Sequence, residues 1–362
     1  MDDDHRREKE NKNLLHDHMK FHYGPTAGGL LESVSMEFST PGEKISSASV
    51  NPAFKMRELS ISGKSINDAL LMVERINGYH SASFQIGFLT AVEKALNIKV
   101  PDDIMNARIL QLELERIRSN LNVMERLCLP AGFGVPANQL SFLKEETSRL
   151  IGNVSGHRYF FGTNLPGLCR ISVKSLNDRI KEVLYDYEDI LDALLSSKIF
   201  VNRLQKNGFI KDERMIGPAA RASGFPIDAR ADSNSLDYSN CPFSLTLRDE
   251  GDSFARFMVR AEEIPVSRDI IISSSQKIRN NLIYEEEYNG SGNGISRIES
   301  PSGDLFFMVS IEDGIVKSLE FSSPSMVNIG LFKKSMPGNV FTDFHFNWES
   351  FGIWLSEVVH IK

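Results

Sequence analysis

Apolar residues recur along this chain with a period that changes from one region to the next. Near the N-terminus they fall close to a period of two, at Leu31, Val34, Met36 and Phe38. Pro41-Gly42 follows as a turn, so this region predicts a small antiparallel sheet with one buried face. From Ser65 onwards the apolar positions lie three and four residues apart, which predicts a series of amphipathic helices.

The helical region extends to about residue 285. Ser65 is a predicted N-cap for its first helix, Pro101-Asp102 gives a later helix an acidic first turn, and Pro265 predicts a kink in the last one. The helical segments are "SINDALLMVERI", "SASFQIGFLTAVEKALNIKVP", "PDDIMNARILQLELERIRSNLNVMERLCL", "SFLKEETSRLIGN", "SVKSLNDRIKEVLYDYEDILDALLSSKIFVNRL" and "SFARFMVRAEEIPVSRDIIISSSQKI".

After residue 288 the pattern changes again. "NGSGNG" (289–294) predicts a flexible linker, and strand-like segments separated by turns follow it. The whole pattern predicts a predominantly helical α+β fold: a central bundle of long helices, an N-terminal antiparallel sheet, and a mixed α/β C-terminal part packed back on that sheet. We expect a disordered polar leader over 1–20 and a single domain over 21–362. That domain would comprise a strand cap (21–64), the helical bundle (65–285) and the mixed tail (286–362).

Composition narrows the class of protein. The 362 residues are 41% hydrophobic and 25% charged, as in a folded globular protein. With 48 acidic and 41 basic residues the net charge is -7, which argues against nucleic-acid binding. No segment approaches the roughly 18–20 apolar residues of a membrane span, and the charged start lacks a secretory signal. Three separated cysteines without a CxxC pair predict neither disulfides nor a thiolate cluster.

Two segments combine arginine with carboxylates. In "GPAARASGFPIDAR" (217–230), Arg221, Asp228 and Arg230 either rigidify a loop near a reactive centre or partner, or simply satisfy a structural loop, which their chemistry alone favours. In "GDSFARFMVRAEEI" (251–264) the charged residues share a helix that is apolar almost all round. Some of these charges are therefore expected to be buried and paired.

Histidines near the N-terminus raise the question of a metal site. His16, His18 and His22 could clasp a metal ion, but a solvated leader is the favoured interpretation, and we predict no metal site there. The chain has no Gly-rich dinucleotide loop, no Walker loop and no nucleophile elbow, and "GTNLPG" is a turn.

The turn "RINGYHS" is the most unusual feature, because Asn77 and His80 have the spacing at which metal sites present two cysteines. The turn belongs to a set of six segments in fixed order, which are "VERINGYHSASFQIGFLTAVEKALNIKVP", "ARILQLELERIRSNL", "RYFFGTNLPGLCR", "GPAARASGFPIDAR", "GDSFARFMVRAEEI" and "ESPSGDLFF". The set resembles the large subunit of energy-converting nickel–iron hydrogenases (hydrogenase-4/formate hydrogenlyase type). It also resembles the related quinone-site subunit of respiratory complex I, the NADH dehydrogenase. The resemblance runs from about Gly24 to about Val358.

The hydrogenase branch implies what this chain has lost. There the segment is Arg-Ile-Cys-Gly-Ile-Cys-Ser, a second Cys-x-x-Cys lies near the C-terminus, and four thiolates hold nickel and iron. Here Asn77 and His80 replace the first pair, and the tail "FTDFHFNWESFGIWLSEVVHIK" has no cysteine. The resemblance therefore implies no metal bound by this chain and no hydrogenase chemistry.

In the complex I branch the corresponding cavity receives a quinone headgroup, held by a Tyr in this turn and a His after the N-terminal Gly-Pro. Here the position of that Tyr is Gly78, and the "GPTAGGLLES" loop has no His. The family's buried His and Asp correspond roughly to Leu127 and Pro130. Tyr79 and His80 are the candidate catalytic donors to a quinone-type acceptor, since His titrates near neutral pH.

The resemblance also implies a scaffold and an interface, built from Glu58, Arg75, Asn77, Glu93, Glu115, Arg116, Arg221, Asp228, Arg230, Arg256 and Glu263. The implied partners are an iron–sulfur small subunit carrying the cluster, other peripheral-arm subunits and proton-translocating membrane subunits. The implied location is cytoplasmic, peripheral on the inner face of the cell membrane. Electron arrival would be coupled to proton movement by rearrangement of the Asn77–Gln85 loop. The alternative is a non-catalytic structural, assembly or regulatory paralogue.

Overall fold

The computed structural model describes residues 19–25, 28–30, 32–52, 57–232, 235–279 and 288–362, with Asp232 described by its backbone. The fold is α+β and predominantly helical, as the pattern predicts. Of the predicted leader over 1–20, Met19 and Lys20 begin the first strand, and the rest lies outside the described residues, as do Leu31, His16 and His18.

The strands form two principal sheets. The N-terminal sheet has the order β1-β2-β3, and the C-terminal sheet has the order β5-β10-β9-β8, both antiparallel. The described strands are β1 (Met19–Tyr23), β2 (Ser35–Thr40), β3 (Ser47–Asn51), β4 (Arg57–Leu59), β5 (Lys64–Ser65), β6 (Asn164–Leu165), β7 (Leu168–Cys169), β8 (Gly292–Ser300), β9 (Gly303–Glu312), β10 (Ile315–Ser322) and β11 (Val359–Ile361).

The helices lie between these sheets in the chain and after the second one. Ser65 caps the first helix through its side chain, as predicted. The described helices are α1 (Ile66–Val73), α2 (Ser81–Ala95), α3 (Asp102–Cys128), α4 (Gly134–Ser155), α5 (Leu176–Val183), α6 (Tyr187–Ser196), α7 (Lys198–Leu204), α8 (Gly217–Arg221), α9 (Ala229–Asp232), α10 (Ser253–Ser275), α11 (Pro324–Ser335) and α12 (Phe344–Phe351), with short 3-10 turns at Gly78–His80, Phe341–Asp343 and Leu355–Glu357.

Two predicted elements differ from the structure. The segment after residue 173 is not one helix but three, α5, α6 and α7. The break between α6 and α7 falls at Ser197, because this residue adopts an extended conformation and caps α7. The predicted linker "NGSGNG" contributes Gly292–Gly294 to β8. The last bundle helix, α10, has Pro265 in its interior, and the kink expected there stays a prediction.

The C-terminal part packs on both sheets, as expected from the pattern. Met36 and Phe38 on β2 share an apolar core with Phe332 on α11 and with Phe344 and Trp348 on α12. The C-terminal sheet takes its edge strand, β5, from the segment that precedes the bundle. The chain end also returns to the N-terminal half, where β11 pairs in parallel with β4.

Helix α2 lies against the C-terminal sheet, and glycines permit that approach. A Cβ at Gly294 on β8 would lie 1.9 Å from the carbonyl oxygen of Ala91, and a Cβ at Gly87 would lie 2.6 Å from the Phe307 ring. Ser296 also donates a 2.6 Å hydrogen bond to the Gly87 carbonyl. Since α2 begins directly after the Asn77–His80 turn, this packing positions the candidate site.

The close approach of β8 to α2 can be tested at Gly294. Gly294→Ala should lower the free energy of unfolding by at least roughly 1–3 kcal/mol, because the new methyl group meets backbone that cannot move independently. Gly330→Ala on α11 is the matched control, since nothing lies within 4 Å of its Cβ position. It should stabilise the protein by up to about 1 kcal/mol. Denaturant unfolding of both variants measures the difference, and equal stabilities would contradict the packing.

Candidate functional site

The Asn77–His80 turn meets the C-terminal tail at the carboxylate of Glu357. Asn77 uses its Oδ1 to accept the Tyr79 backbone N–H at 3.0 Å, and donates its amide to Glu357 Oε1 at 2.9 Å. The Nδ1 of His80 lies 3.0 Å from the same oxygen, and its Nε2 lies 3.0 Å from Ser119 Oγ. The side chains of Asn77, His80, Ser119 and Glu357 are all buried. The turn and the tail are therefore joined by one carboxylate.

The second oxygen of Glu357 is also engaged. Ser325, at the start of α11, donates to Glu357 Oε2 at 2.7 Å and accepts the backbone N–H of Trp354 at 3.0 Å. His80 packs against Trp354 with ring centroids 5.4 Å apart. Trp354-x-x-Glu357 thus faces Asn77-x-x-His80 with the same spacing. Neither Trp354 nor Glu357 is among the site residues predicted from sequence, although this repeated spacing near the chain end was a usable signal.

Two further side chains hold the tail in place. Glu32 accepts the backbone N–H groups of Leu355 and Ser356, the second at 3.0 Å. Burial raises the pKa of the Glu32 carboxyl. Arg57 donates to the carbonyl of Ile76 and, at 2.7 Å, to that of Ser356. One guanidinium therefore ties the residue before Asn77 to the residue before Glu357.

Tyr79 lies at the outer side of this network. Its half-buried ring stacks on Trp354 with centroids 4.9 Å apart, and the Arg118 guanidinium lies 4.5 Å from its centroid. Among the described residues its buried hydroxyl has no hydrogen-bond partner. Burial raises the pKa of the phenol well above its ordinary value, so the hydroxyl keeps its proton as a donor. Tyr79 is thus the side chain of the turn whose polar atom lacks a hydrogen-bond partner among the described residues.

His80 differs from Tyr79 in this respect. It is fully buried, and both ring nitrogens already have protein partners. Direct donation to an acceptor would require breaking one of these bonds. The residues that follow are similarly constrained: Ser81 to Gln85 form the first turns of α2 rather than a loop, and Gln85 donates to the carbonyl of Phe160 at 2.9 Å. The Asn77–Gln85 segment is thus a 3-10 turn followed by the start of α2, and the rearrangement implied for it stays a prediction.

The donor set at this position does not fit a nickel–iron centre. That centre needs soft thiolates, whereas Asn77, His80 and Glu357 offer an amide, an imidazole and a carboxylate that already bond one another. The cysteines lie elsewhere. Cys169, on β7, accepts a hydrogen bond from the side-chain amide of Gln111 on α3 at 2.9 Å. Among the described residues, no group of three or more His, Cys, Asp and Glu is arranged to hold a metal ion.

A fully buried cluster of charges lies under β8 and α10, and contains three of the predicted arginines. Arg221 bonds Asp228, Glu263 and Glu299 at 2.7–3.0 Å. Arg230 bonds Asp228 at 2.7 Å and Glu263 at 3.1 Å. The third, Arg116, bonds Glu113 and the carbonyl oxygens of residues 299 and 300. These ion pairs join α3, α8, α10 and β8.

Burial and pairing act in opposite directions on the carboxyls of this cluster. The guanidiniums of Arg221 and Arg230 overcome burial and hold the pKa of Asp228 well below its usual range. Burial, reinforced by Asp228, raises the pKa of Glu299 to about 7. Glu299 is therefore the member of the cluster that changes charge near neutral pH.

The arginines of α10 are buried as predicted, but they bond carbonyl and amide oxygens instead of carboxylates. Arg256 donates to Asn347 Oδ1 at 2.9 Å and to the carbonyl of Gly208 at 3.1 Å. Arg260 donates to Asn120 Oδ1 at 3.2 Å and to the carbonyl of Phe351 at 2.9 Å. Burial lowers the pKa of both. Both guanidiniums anchor α12, which leads into the tail.

The other predicted residues are spread over the molecule. Glu115 accepts the backbone N–H groups of Ala82 and Ser83 at the start of α2, and Glu93 forms a buried two-bond pair with Arg108 at 2.6 Å. Two lie at the surface: Glu58 pairs with Lys362, and Arg75 with Glu74. The structure brings Asn77, Tyr79 and His80 together with the tail at Glu357, whereas Glu58 contacts the tail at its last residue, Lys362.

These features define a class of protein, a predominantly helical α+β protein whose chain end closes over a turn preceding a long buried helix. A family model described as "Respiratory-chain NADH dehydrogenase, 49 Kd subunit" matches residues 143–290. An NADH-quinone oxidoreductase subunit from Methylacidiphilum infernorum is 28% identical over 318 residues, covering 76% of each chain. The alpha subunit of the membrane-bound hydrogenase of Pyrococcus furiosus is 24% identical over 356 residues, covering 90% of this chain and 83% of that one.

A solved structure shares the fold. It is a chain of the membrane-bound sulfane sulfur reductase, described as an archaeal respiratory membrane complex, with a TM-score of 0.88 and 19% identity. The match covers 94% of this chain and 98% of that chain. These findings confirm the predicted resemblance and the predicted fold class. No described helix is both long enough and apolar enough to cross a membrane.

The Glu357 network can be tested by removing its carboxylate. Glu357→Ala should lower the free energy of unfolding by roughly 3–5 kcal/mol, because the Asn77 amide, His80 and Ser325 lose their shared partner in a buried site. Glu357→Gln should cost less, since it keeps one acceptor oxygen. The exposed Glu320→Ala is the control and should change stability by no more than about 0.5 kcal/mol. Denaturant unfolding measures all three; equal loss in the two Ala variants would refute the network.

The titration of Glu299 predicts a pH effect on stability. A carboxyl whose pKa rises from 4.5 to about 7 on folding contributes stability that is complete below about pH 4.5 and is lost as the pH rises through 7. Glu299→Gln cannot titrate. Its stability relative to wild type should therefore rise by roughly 1–3 kcal/mol between pH 4.5 and 7. Urea unfolding across this range is the measurement, and a constant difference between the proteins would contradict the assignment. Glu320→Gln should follow the wild type.

Proposed function

We propose that this chain is the large-subunit-type component of a membrane-associated oxidoreductase complex, of the kind represented by hydrogenase-4 and NADH:quinone oxidoreductase. The relatives from an NADH-quinone oxidoreductase and a membrane-bound hydrogenase support this, as does the shared fold. Within the complex the chain packs on an iron–sulfur small subunit and couples electron transfer to proton translocation. The observation that carries the proposal is the unpaired Tyr79 hydroxyl beside the closed tail.

The chain does not carry out hydrogenase chemistry in this proposal. Asn77 and His80 occupy the positions of two thiolates, and Glu357 binds both of them. The hydrogen-bonded amide, imidazole and carboxylate form a rigid polar network, the Glu357 network, in place of a metal centre. The electrons are carried by the iron–sulfur cluster of the partner subunit.

The acceptor is a quinone-type molecule bound on the outer side of the Glu357 network. Tyr79 donates its hydroxyl proton in a hydrogen bond to an acceptor oxygen, and Trp354 supplies a flat surface at the same place. His80 lies behind Tyr79, with ring centroids 6.3 Å apart. Its role is to hold the turn against Glu357 and Ser119.

The partners follow from the same proposal. The iron–sulfur small subunit, other peripheral-arm subunits and proton-translocating membrane subunits surround the chain, which lies on the cytoplasmic, inner face of the cell membrane through them. Glu58 and Arg75 are at the surface near the turn and the tail, where another subunit can contact them. A purely structural or assembly paralogue is not favoured, because the similar proteins are subunits of respiratory membrane complexes.

The acceptor role of Tyr79 is tested in the complex purified through this chain. Tyr79→Phe removes one oxygen and should lower the rate of quinone reduction roughly 10- to 100-fold, the effect of losing one hydrogen bond to the acceptor. Co-purification of the iron–sulfur subunit should be unchanged. Tyr185→Phe, at an 83% exposed position, is the matched control. Unchanged turnover in Tyr79→Phe would rule out the acceptor site, and absence of an iron–sulfur subunit would rule out the complex.

A further inference from the structure

Arg118, on α3, is a buried cation with unused bonding capacity. Its side chain is fully buried, donates to the carbonyl of Arg158 at 2.7 Å and also donates to the carbonyl of Tyr79. Its Nε has no hydrogen-bond partner among the described residues. No described carboxylate forms an ion pair with it. The groups that bond the guanidinium directly are therefore neutral carbonyls.

Comparison with the other buried arginines shows why this matters. Arg116, Arg221 and Arg230 have carboxylate partners. Arg256 and Arg260 lack direct carboxylate bonds, but all of their nitrogens have partners. Arg221 also retains an unpaired Nε, but it has three carboxylate partners, so Arg118 differs from both groups in combining an unpaired N–H with the lack of a directly bonded carboxylate. Burying such a group is costly unless something else completes its environment.

The surroundings of Arg118 indicate where that completion occurs. Its guanidinium lies 4.5 Å from the ring centroid of Tyr79 and 5.0 Å from that of Tyr159. Tyr159 is 38% exposed, so this cluster reaches the surface. The Tyr79 hydroxyl is the second unpaired donor in the same cluster. Two unpaired donors, one of them charged, thus lie buried beside aromatic rings, and one of these rings, that of Tyr159, reaches the surface.

We propose that Arg118 and Tyr79 bind an oxyanion carried on a flat ring, so that the acceptor site prefers the anionic form of a quinone-type ligand over the neutral form. Arg118 supplies a permanent positive charge, Tyr79 donates to the anionic oxygen, and Trp354 and Tyr159 flank the ring. This inference rests on the proposed acceptor site and adds the charge of its ligand. Arg118 acts as a residue that determines specificity.

The test compares two ligands of nearly equal shape on the purified complex. One is a hydroxynaphthoquinone whose ring hydroxyl is ionised at neutral pH, and the other is the uncharged methylnaphthoquinone. The wild type should bind the anion about tenfold more tightly, since hydrogen bonds to charged groups are stronger than those between neutral groups. Arg118→Gln should abolish the preference by weakening anion binding, with the affinity for the neutral ring retained.

Two variants complete the design. Arg149→Gln, an exposed arginine in surface ion pairs on α4, should keep the wild-type preference. Arg118→Lys keeps the charge without the flat guanidinium, and should retain part of the preference. Dissociation constants are measured by quenching of intrinsic fluorescence, a readout that does not depend on turnover.

The outcomes separate this inference from the proposed function. Equal affinity of the wild type for the two ligands would overturn the role of Arg118 while leaving the acceptor site in place. Binding of neither ligand would overturn the acceptor site itself. If Arg118→Gln does not fold, the wild-type comparison still decides, and Tyr79→Phe should then weaken the anion more than the neutral ring.

Discussion

The carboxylate of Glu357 is the interaction on which the arrangement of this site depends. It accepts from Asn77 and Ser325 and pairs with His80, so the turn, the first residues of α11 and the chain end meet at two oxygen atoms. In a buried site these groups would otherwise lose hydrogen bonds that water supplies in the unfolded chain. Closing the tail therefore satisfies the polar groups of the turn, and the turn likewise satisfies those of the tail.

The buried charges elsewhere serve the same arrangement. Arg221 and Arg230 join the loop at Asp228 to α10 through Glu263, and Arg260 ties α10 to the end of α12. Each guanidinium bonds several segments that are distant in the chain. Apolar side chains cannot do this, because they form no directional hydrogen bonds. The helical bundle consequently presents the tail to the turn with defined geometry, and Arg57 and Glu32 complete the clamp.

The donor set of the Glu357 network differs from the thiolates that hold the metals in the hydrogenases that this chain resembles. The hydrogen-bonded amide, imidazole and carboxylate of Asn77, His80 and Glu357 support Tyr79 and Trp354 from behind. Two unpaired groups lie on the outer side of the Glu357 network: the Tyr79 hydroxyl and the Arg118 Nε. In the proposed function, recognition of a ligand has thus moved from the former metal position to the aromatic groups beside it.

Periodicity and motif order were sufficient to predict the fold class and the burial of charged residues on α10, whereas the Asn77–His80 turn as the centre of a functional site stays a prediction. Local signals carry this information, because apolar spacing reports burial and a turn motif reports its own geometry. Sequence did not predict the partition of α5, α6 and α7, the entry of Gly292–Gly294 into β8, or the partnership of Glu357 with residues about 280 positions earlier. Those depend on contacts between distant segments. Likewise, only the tertiary structure could decide that His80 is enclosed while Tyr79 and Arg118 keep unpaired donors, because the satisfaction of a polar atom is set by the neighbours that folding brings to it.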